Sequence, residues 1–145
     1  MKALFVCLGN ICRSPAAEGV ARVLAQGLPE WESLDSAGIG GWHTGDPPHT
    51  MMRQVARNAG FPIDDLRARQ VCAHDFSSFD WILAMDQQNL EELLHLQERY
   101  GGRAQIRLLF ENGQEVPDPY YGGLKEFQTS FSLIQDGVER FLRES

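Results

Sequence analysis

Lys2-Ala3-Leu4-Phe5-Val6-Cys7-Leu8-Gly9-Asn10-Ile11-Cys12-Arg13-Ser14-Pro15 is the stretch that decides how this chain folds. Its first six residues make an apolar run of buried-strand length. Gly9 and Asn10 follow, the residue types best suited to the positive φ angles of a tightly wound loop. Ser14-Pro15 then offers an N-cap and a first-turn proline, and Ala16, Ala17, Val20, Ala21 and Leu24 continue at helical spacing. Strand, short loop and helix in that order open an α/β fold. Cys7 stands at the carboxyl end of the strand, where such folds bind ligands.

The rest of the chain repeats the pattern. Leu34 to Ala37 reads as a second strand, closed by Gly38, Gly40 and Gly41. Pro47-Pro48 opens a second helix with Met51 or Met52, Val55, Ala56 and Ala59 on its apolar stripe, and Gly60 stops it. Phe79 to Met85 is a third buried strand. Asp86 caps a helix carrying Leu90, Leu93 and Leu94 towards Gly101-Gly102. Ile106 to Phe110 is a fourth strand, and Phe127, Phe131, Ile134, Val138 and Phe141 mark the last helix. No repeat, linker or low-complexity tract divides residues 1–145, so the expectation is one α/β domain. It has a parallel sheet of four strands flanked by helices, with the loop of residues 7–13 joining the first strand to the first helix.

That loop suits a phosphate. A short loop wound around an anion turns successive backbone N–H groups inward as a nest. The helix starting near Ser14 adds its free N–H groups and dipole, and Arg13 adds a planar fork for two phosphate oxygens. Leu8, Gly9, Asn10, Ile11, Cys12 and Ser14 are thus the expected binding loop, with Cys7 at its floor in a positive local field. Comparable sites bring a cysteine to roughly 3.5–7.5 from about 8.5. A shift to about 5 raises the thiolate fraction at pH 7 roughly 30-fold. A Brønsted slope of about 0.4–0.5 costs on the order of 40-fold in nucleophilicity over the same shift. Attack at neutral pH gains nothing. The benefit lies at acidic pH and in a second step, where a stabilised thiolate leaves more easily, and a hydroxyl from Ser14 to the sulfur fits that role.

Composition narrows the class. Of 145 residues 43% are hydrophobic and 23% charged, enough apolar side chains for a core. The net charge of −7, without a basic run, argues against nucleic acid or an anionic membrane as partner. The three cysteines, Cys7, Cys12 and Cys72, are too few and too odd for a disulfide framework. The four histidines are scattered, no metal site or cofactor is expected, and no stretch has the length of a signal peptide or a membrane span. A cytoplasmic location is the expectation.

Cys7-Leu8-Gly9-Asn10-Ile11-Cys12-Arg13-Ser14-Pro15 resembles the signature of the low-molecular-weight protein tyrosine phosphatases. Asp35-Ser36-Ala37-Gly38, Arg67-Ala68-Arg69-Gln70, Met85-Asp86 and Asp118-Pro119-Tyr120-Tyr121 recur in the family's order. The resemblance implies hydrolysis of phosphotyrosine in proteins through a phosphocysteine on Cys7, without a metal. It implies that Asp118, which alone reads as part of a turn, is the acid that protonates the leaving phenolate and then the base that activates water. It implies aromatic pocket walls from Tyr120 and Tyr121 on one side and Trp42 on the other, a slot too deep for phosphoserine. It also implies that Cys12 traps an oxidised Cys7 as a reversible disulfide. Cys72 reads as structural.

One position departs from the family. Many members carry a histidine where this chain has Leu66, bonded into a network with residues matching Asn10, Ser14 and Ser36. Here the network is either smaller or completed by another group. Two rival activities share the fold. Arsenate reductases need further downstream cysteines that are missing here, and arginine phosphatases usually place threonine where Ile11 stands. A phosphate-binding module without turnover would need neither Cys7 nor Asp118.

Overall fold

The structure, a computed structural model, describes residues 1–144. Its elements are β1 (Lys2–Cys7), α1 (Arg13–Leu24), β2 (Ser33–Gly38), α2 (Thr50–Asn58), α3 (Asp75–Ser78), β3 (Trp81–Ala84), α4 (Gln87–Tyr100), β4 (Gln105–Leu108) and α5 (Leu124–Glu144). The four strands form one parallel sheet, as the sequence predicts, and their order in it is β2-β1-β3-β4. β1 lies inside it, with Cys7 opposite Gly38 on β2 and Val6 opposite Ala84 on β3.

β1 is apolar throughout because each face of the sheet is covered. Ala3, Phe5 and Cys7 pack on the side of α1, α2 and α5, among Ala17, Met52, Phe127 and Ile134. Leu4 and Val6 point the other way, into a cluster with Phe76, Phe79 and Leu93 on the side of α3 and α4. Two cores thus clamp β1, and its carboxyl end delivers Cys7 to a fixed place. Among the described residues no helix is long and apolar enough to cross a membrane.

The element ends differ from the sequence reading for identifiable reasons. α1 starts at Arg13, with Cys12 in the N-cap position and no side chain capping it. Ser14 is therefore not the cap, because its hydroxyl is engaged with Cys7 and Asn10. Pro47-Pro48 does not open α2. That helix begins at Thr50, and the His49 ring caps it by accepting the Met51 N–H at Nδ1 (3.1 Å). Gly60 does end α2, at φ +90°. Asp86 caps α4 by accepting the Asn89 N–H (2.8 Å). Phe79, Met85, Leu109 and Phe110 are buried but lie outside the ladders, so β3 and β4 are shorter than their apolar runs. The single-turn α3 and the 3₁₀ turn at Ala25–Gly27 are too short for a periodic signal.

Candidate active site

The loop after β1 is held from outside by its carbonyls. Cys7 C=O accepts from Ile39 N–H (2.9 Å), Leu8 C=O from Gly40 N–H (2.9 Å), and Ile11 C=O from His49 N–H (2.8 Å). Among the described residues no group accepts from the N–H of Gly9, Asn10, Ile11 or Cys12. With the carbonyls facing out, these donors remain for a ligand, since buried N–H groups are rarely left unpaired. Among the described residues Asn10 alone of the non-glycine residues has positive φ, at 59°. Gly9 does not, which corrects the sequence reading. Its lack of a side chain instead leaves room for the His43 ring, which a Cβ there would crowd at 3.1 Å. Gly38 serves the same loop, since its Cβ would meet Gly9 C at 2.9 Å and Asn10 N at 3.0 Å.

Cys7 Sγ receives the Ser14 N–H at 3.4 Å and lies 3.1 Å from Ser14 Oγ. The Asn10 amide donates to Ser14 Oγ (2.7 Å) and to Ser36 Oγ (3.0 Å), while its Oδ1 accepts from the Arg69 N–H (3.0 Å). The Arg69 guanidinium bonds both Asp35 and Asp75, which fixes that segment. Arg13 is only 2% exposed. Its Nη1 donates to Asp86 (2.7 Å) and to Val116 C=O (3.0 Å), and its Nη2 lies 3.6 Å from Asp118 Oδ2. Burial opposes the guanidinium charge, but Cys7, Asp86 and Asp118 more than offset it and keep Arg13 cationic. One nitrogen is spent on orientation, which leaves the Nε–Nη2 edge able to meet an anion in the fork geometry expected of a guanidinium.

A pocket of about 200 Å³ opens above Cys7. Leu8, Gly9, Ile11, Cys12 and Arg13 line its lower part, and Trp42, Asp118, Tyr120 and Tyr121 its upper part. Trp42 is 70% exposed and Tyr121 is 96% exposed, so both form a rim. Tyr120 is steadied edge-on by His49 (5.8 Å) and by Tyr121 (4.9 Å). Burial and nearby Arg53 lower the pKa of His49, in keeping with its acceptor role at the start of α2. Asp118 Oδ1 accepts the Tyr120 N–H (3.1 Å), so the turn character of this segment and its place at the pocket coexist. Asn10 and Ser14 do not line the pocket. Their side chains are buried behind the loop and support it.

The sequence reading missed His43, which lines the pocket beside Trp42 and pairs with Asp46. Its adjacency to Trp42 was the available signal. It also missed Glu18. Leu66 is buried in the core and brings no polar group to the Asn10 network. Glu18 ends that network instead, with Oε1 accepting from Ser36 Oγ–H at 2.6 Å. It lies one helical turn after Ser14, so a carboxylate on the buried face of α1 was the clue. Burial raises Glu18 to about 7, although Ser36 and Arg22 pull the other way. Cys12 is a buried thiol whose pKa is pushed far above the ordinary range by burial, then by the negative charge of Cys7 and Asp118.

Residues 2–145 match the family described as Low molecular weight phosphotyrosine protein phosphatase. The chain is 43% identical to the low molecular weight protein-tyrosine-phosphatase YfkJ of Bacillus subtilis, covering 96% of this chain and 92% of that one. A crystal structure of a protein tyrosine phosphatase from Entamoeba histolytica superposes with a TM-score of 0.87 at 40% identity, covering 99% and 96%. That of a Drosophila arginine phosphatase superposes at 0.92 with 34% identity, covering 99% and 97%. With its whole length matched and its strand–loop–helix site intact, the chain belongs to the low molecular weight phosphotyrosine protein phosphatases.

Proposed function

We propose that residues 1–145 are one phosphatase domain that removes phosphate from tyrosine in proteins, with Cys7 as nucleophile. The observation that carries this reading is the row of free loop N–H groups around Cys7, completed by the Arg13 fork. The loop donors and Arg13 bind the three non-bridging oxygens and stabilise the charge that spreads over them in transfer. The Cys7 thiolate forms the S–P bond as the P–O bond to the phenol breaks, and Asp118 gives its proton to the departing oxygen. Water then attacks phosphorus, Asp118 takes its proton, and the S–P bond breaks to release phosphate and thiolate. Trp42, Tyr120 and Tyr121 receive the aromatic ring.

A second reading comes from the arginine phosphatase that superposes so well. Ile11 at the pocket floor and the paired Tyr120 and Tyr121 favour a flat aromatic ester over a guanidinium. Turnover of p-nitrophenyl phosphate, phosphotyrosine peptides and phosphoarginine peptides tests both. The expected order of kcat/KM puts phosphotyrosine well above phosphoarginine. The reverse order overturns the tyrosine assignment, and no turnover of any of the three overturns the enzyme.

The thiols are assigned a protective role in a cytoplasmic, reducing setting. Cys12 is a weak nucleophile while protonated, so oxidation begins at Cys7, and the sulfenic acid then condenses with Cys12. Mild peroxide is expected to give a Cys7–Cys12 disulfide in peptide mapping, reversed by thiol reductants with recovery of activity. Cys7 sulfonic acid as first product, or a Cys7–Cys72 bridge, would remove the role.

A further inference from the structure

We propose that Glu18 is a positioning residue for Cys7, acting through a buried hydrogen-bond chain that runs Glu18, Ser36, Asn10, Ser14, Cys7. The inference rests on Cys7 being the nucleophile. It starts from donor counting. Asn10 Oδ1 is taken by the Arg69 N–H, so its Nδ2 faces the two serines and has one proton for each. Both hydroxyls thus accept from Asn10 and must send their own protons elsewhere. Ser14 has Cys7 Sγ at 3.1 Å and Ala37 C=O at 3.3 Å. Ser36 has Glu18 Oε1 at 2.6 Å. Without that acceptor the Ser36 proton turns back on the Asn10 amide. Asn10 stays tied through Oδ1 to the Arg69 N–H, but its amide is pushed off its place between the two serines, which weakens the donor that turns the Ser14 proton towards Cys7.

A carboxylate at this place is costly, which argues that it is kept for a purpose. Glu18 is 2% exposed, and burying an ionised group is unfavourable unless it is well partnered. Its Oε2 meets the Arg22 guanidinium one turn along α1 without a well-angled hydrogen bond, and Arg22 is itself half exposed. Asp35 on β2 adds repulsion from across the interface. Alanine would serve the α1 packing at less cost. The titration of Glu18 near neutrality does not break the chain, because a neutral acid protonated on Oε2 still accepts at Oε1. Glu18→Gln presents a similar oxygen, and Arg22 is free to swing into solvent.

The test uses the full chain with Glu18→Gln, Glu18→Ala, Ser36→Ala and the double variant Glu18→Ala/Ser36→Ala. Three quantities are read: kcat and KM on p-nitrophenyl phosphate, the pH profile of Cys7 alkylation by iodoacetate, and the thermal midpoint. Glu18→Ala is expected to lower kcat roughly tenfold, with KM within about threefold, because the phosphate donors are untouched. Its alkylation profile moves to higher pH. Ser36→Ala reproduces both effects, the double variant is no worse than the poorer single one, and Glu18→Gln restores kcat to within about threefold of the parent. Additive losses in the double variant overturn the proposal, as does a lowered midpoint with kcat and alkylation unchanged. If Glu18→Ala does not fold, Ser36→Ala decides alone, since an unaltered alkylation profile there breaks the chain at its middle. Alkylation reads Cys7 without turnover. A parent that never hydrolyses phosphate therefore sinks the phosphatase reading and leaves the Glu18 result interpretable.

Discussion

Asp118 holds a structural place in its turn and is proposed to carry a chemical one as well. Oδ1 holds the Tyr120 N–H at 3.1 Å, and Oδ2 faces Arg13 at 3.6 Å. Asp118→Asn keeps an acceptor for Tyr120 and removes the transferable proton. A general acid matters in proportion to how badly the leaving group needs a proton. Tyrosine leaves as a phenolate whose conjugate acid has a pKa of about 10, whereas p-nitrophenolate is far less basic. In single-turnover phosphorylation of Cys7, the substitution is expected to slow phosphotyrosine peptides roughly 10²-fold or more and p-nitrophenyl phosphate distinctly less. Equal losses would mean that Asp118 only shapes its turn. Legibility at this scale followed sequence distance. Cys7, Asn10, Cys12, Arg13 and Ser14 lie in one short stretch, and their types point to their chemistry. His43 and Glu18 acquire meaning only through partners far along the chain, and Gly9 shows that a correct residue can be chosen for the wrong reason.

α1 links the site to the stability of the fold. It begins at the loop, packs against α5, and carries Glu18 on its buried face. Glu18 rises from 4.5 to about 7 in the folded chain, chiefly through burial. The folded state therefore binds more protons than the unfolded one between those values, and stability falls as pH rises through that window. The contribution is fully present below about pH 4.5 and gone above about pH 7. The shift corresponds to roughly 2–4 kcal/mol. Urea unfolding at pH 5 and pH 8 is expected to show the parent losing about that much relative to Glu18→Gln, which has no proton to release. Equal pH dependence in both would show that Glu18 is solvated. The order of helices and strands was legible because each carries its own periodicity. Their ends were not, since these depend on competition for single groups: Ser14 is claimed by Cys7, and the His49 ring caps a helix that starts after Pro47-Pro48 and not at them.

At the scale of the molecule, an acidic chain of net charge −7 builds one concentrated site for an anion. Buried strand β1 fixes Cys7, two cores clamp that strand, and segments 38–41, 69–70 and 116–121 converge on the loop from other parts of the fold. The fold and the loop were readable from residues 2–15 together with the alternating pattern. Leu66 was readable as a gap in the network of Asn10, Ser14 and Ser36, but the contact of Glu18 with Ser36 needed the packing of α1 against β2. The central claim is that phosphate passes through Cys7. Rapid acid quench of the parent during turnover of a phosphotyrosine peptide, followed by peptide mapping by mass spectrometry, tests it most directly. The expected result is phosphate on Cys7 in the peptide containing residues 7–13, at a level approaching one per chain when breakdown is slow, and none in Cys7→Ser. Sustained turnover with phosphate on another residue, or on none, would contradict the account.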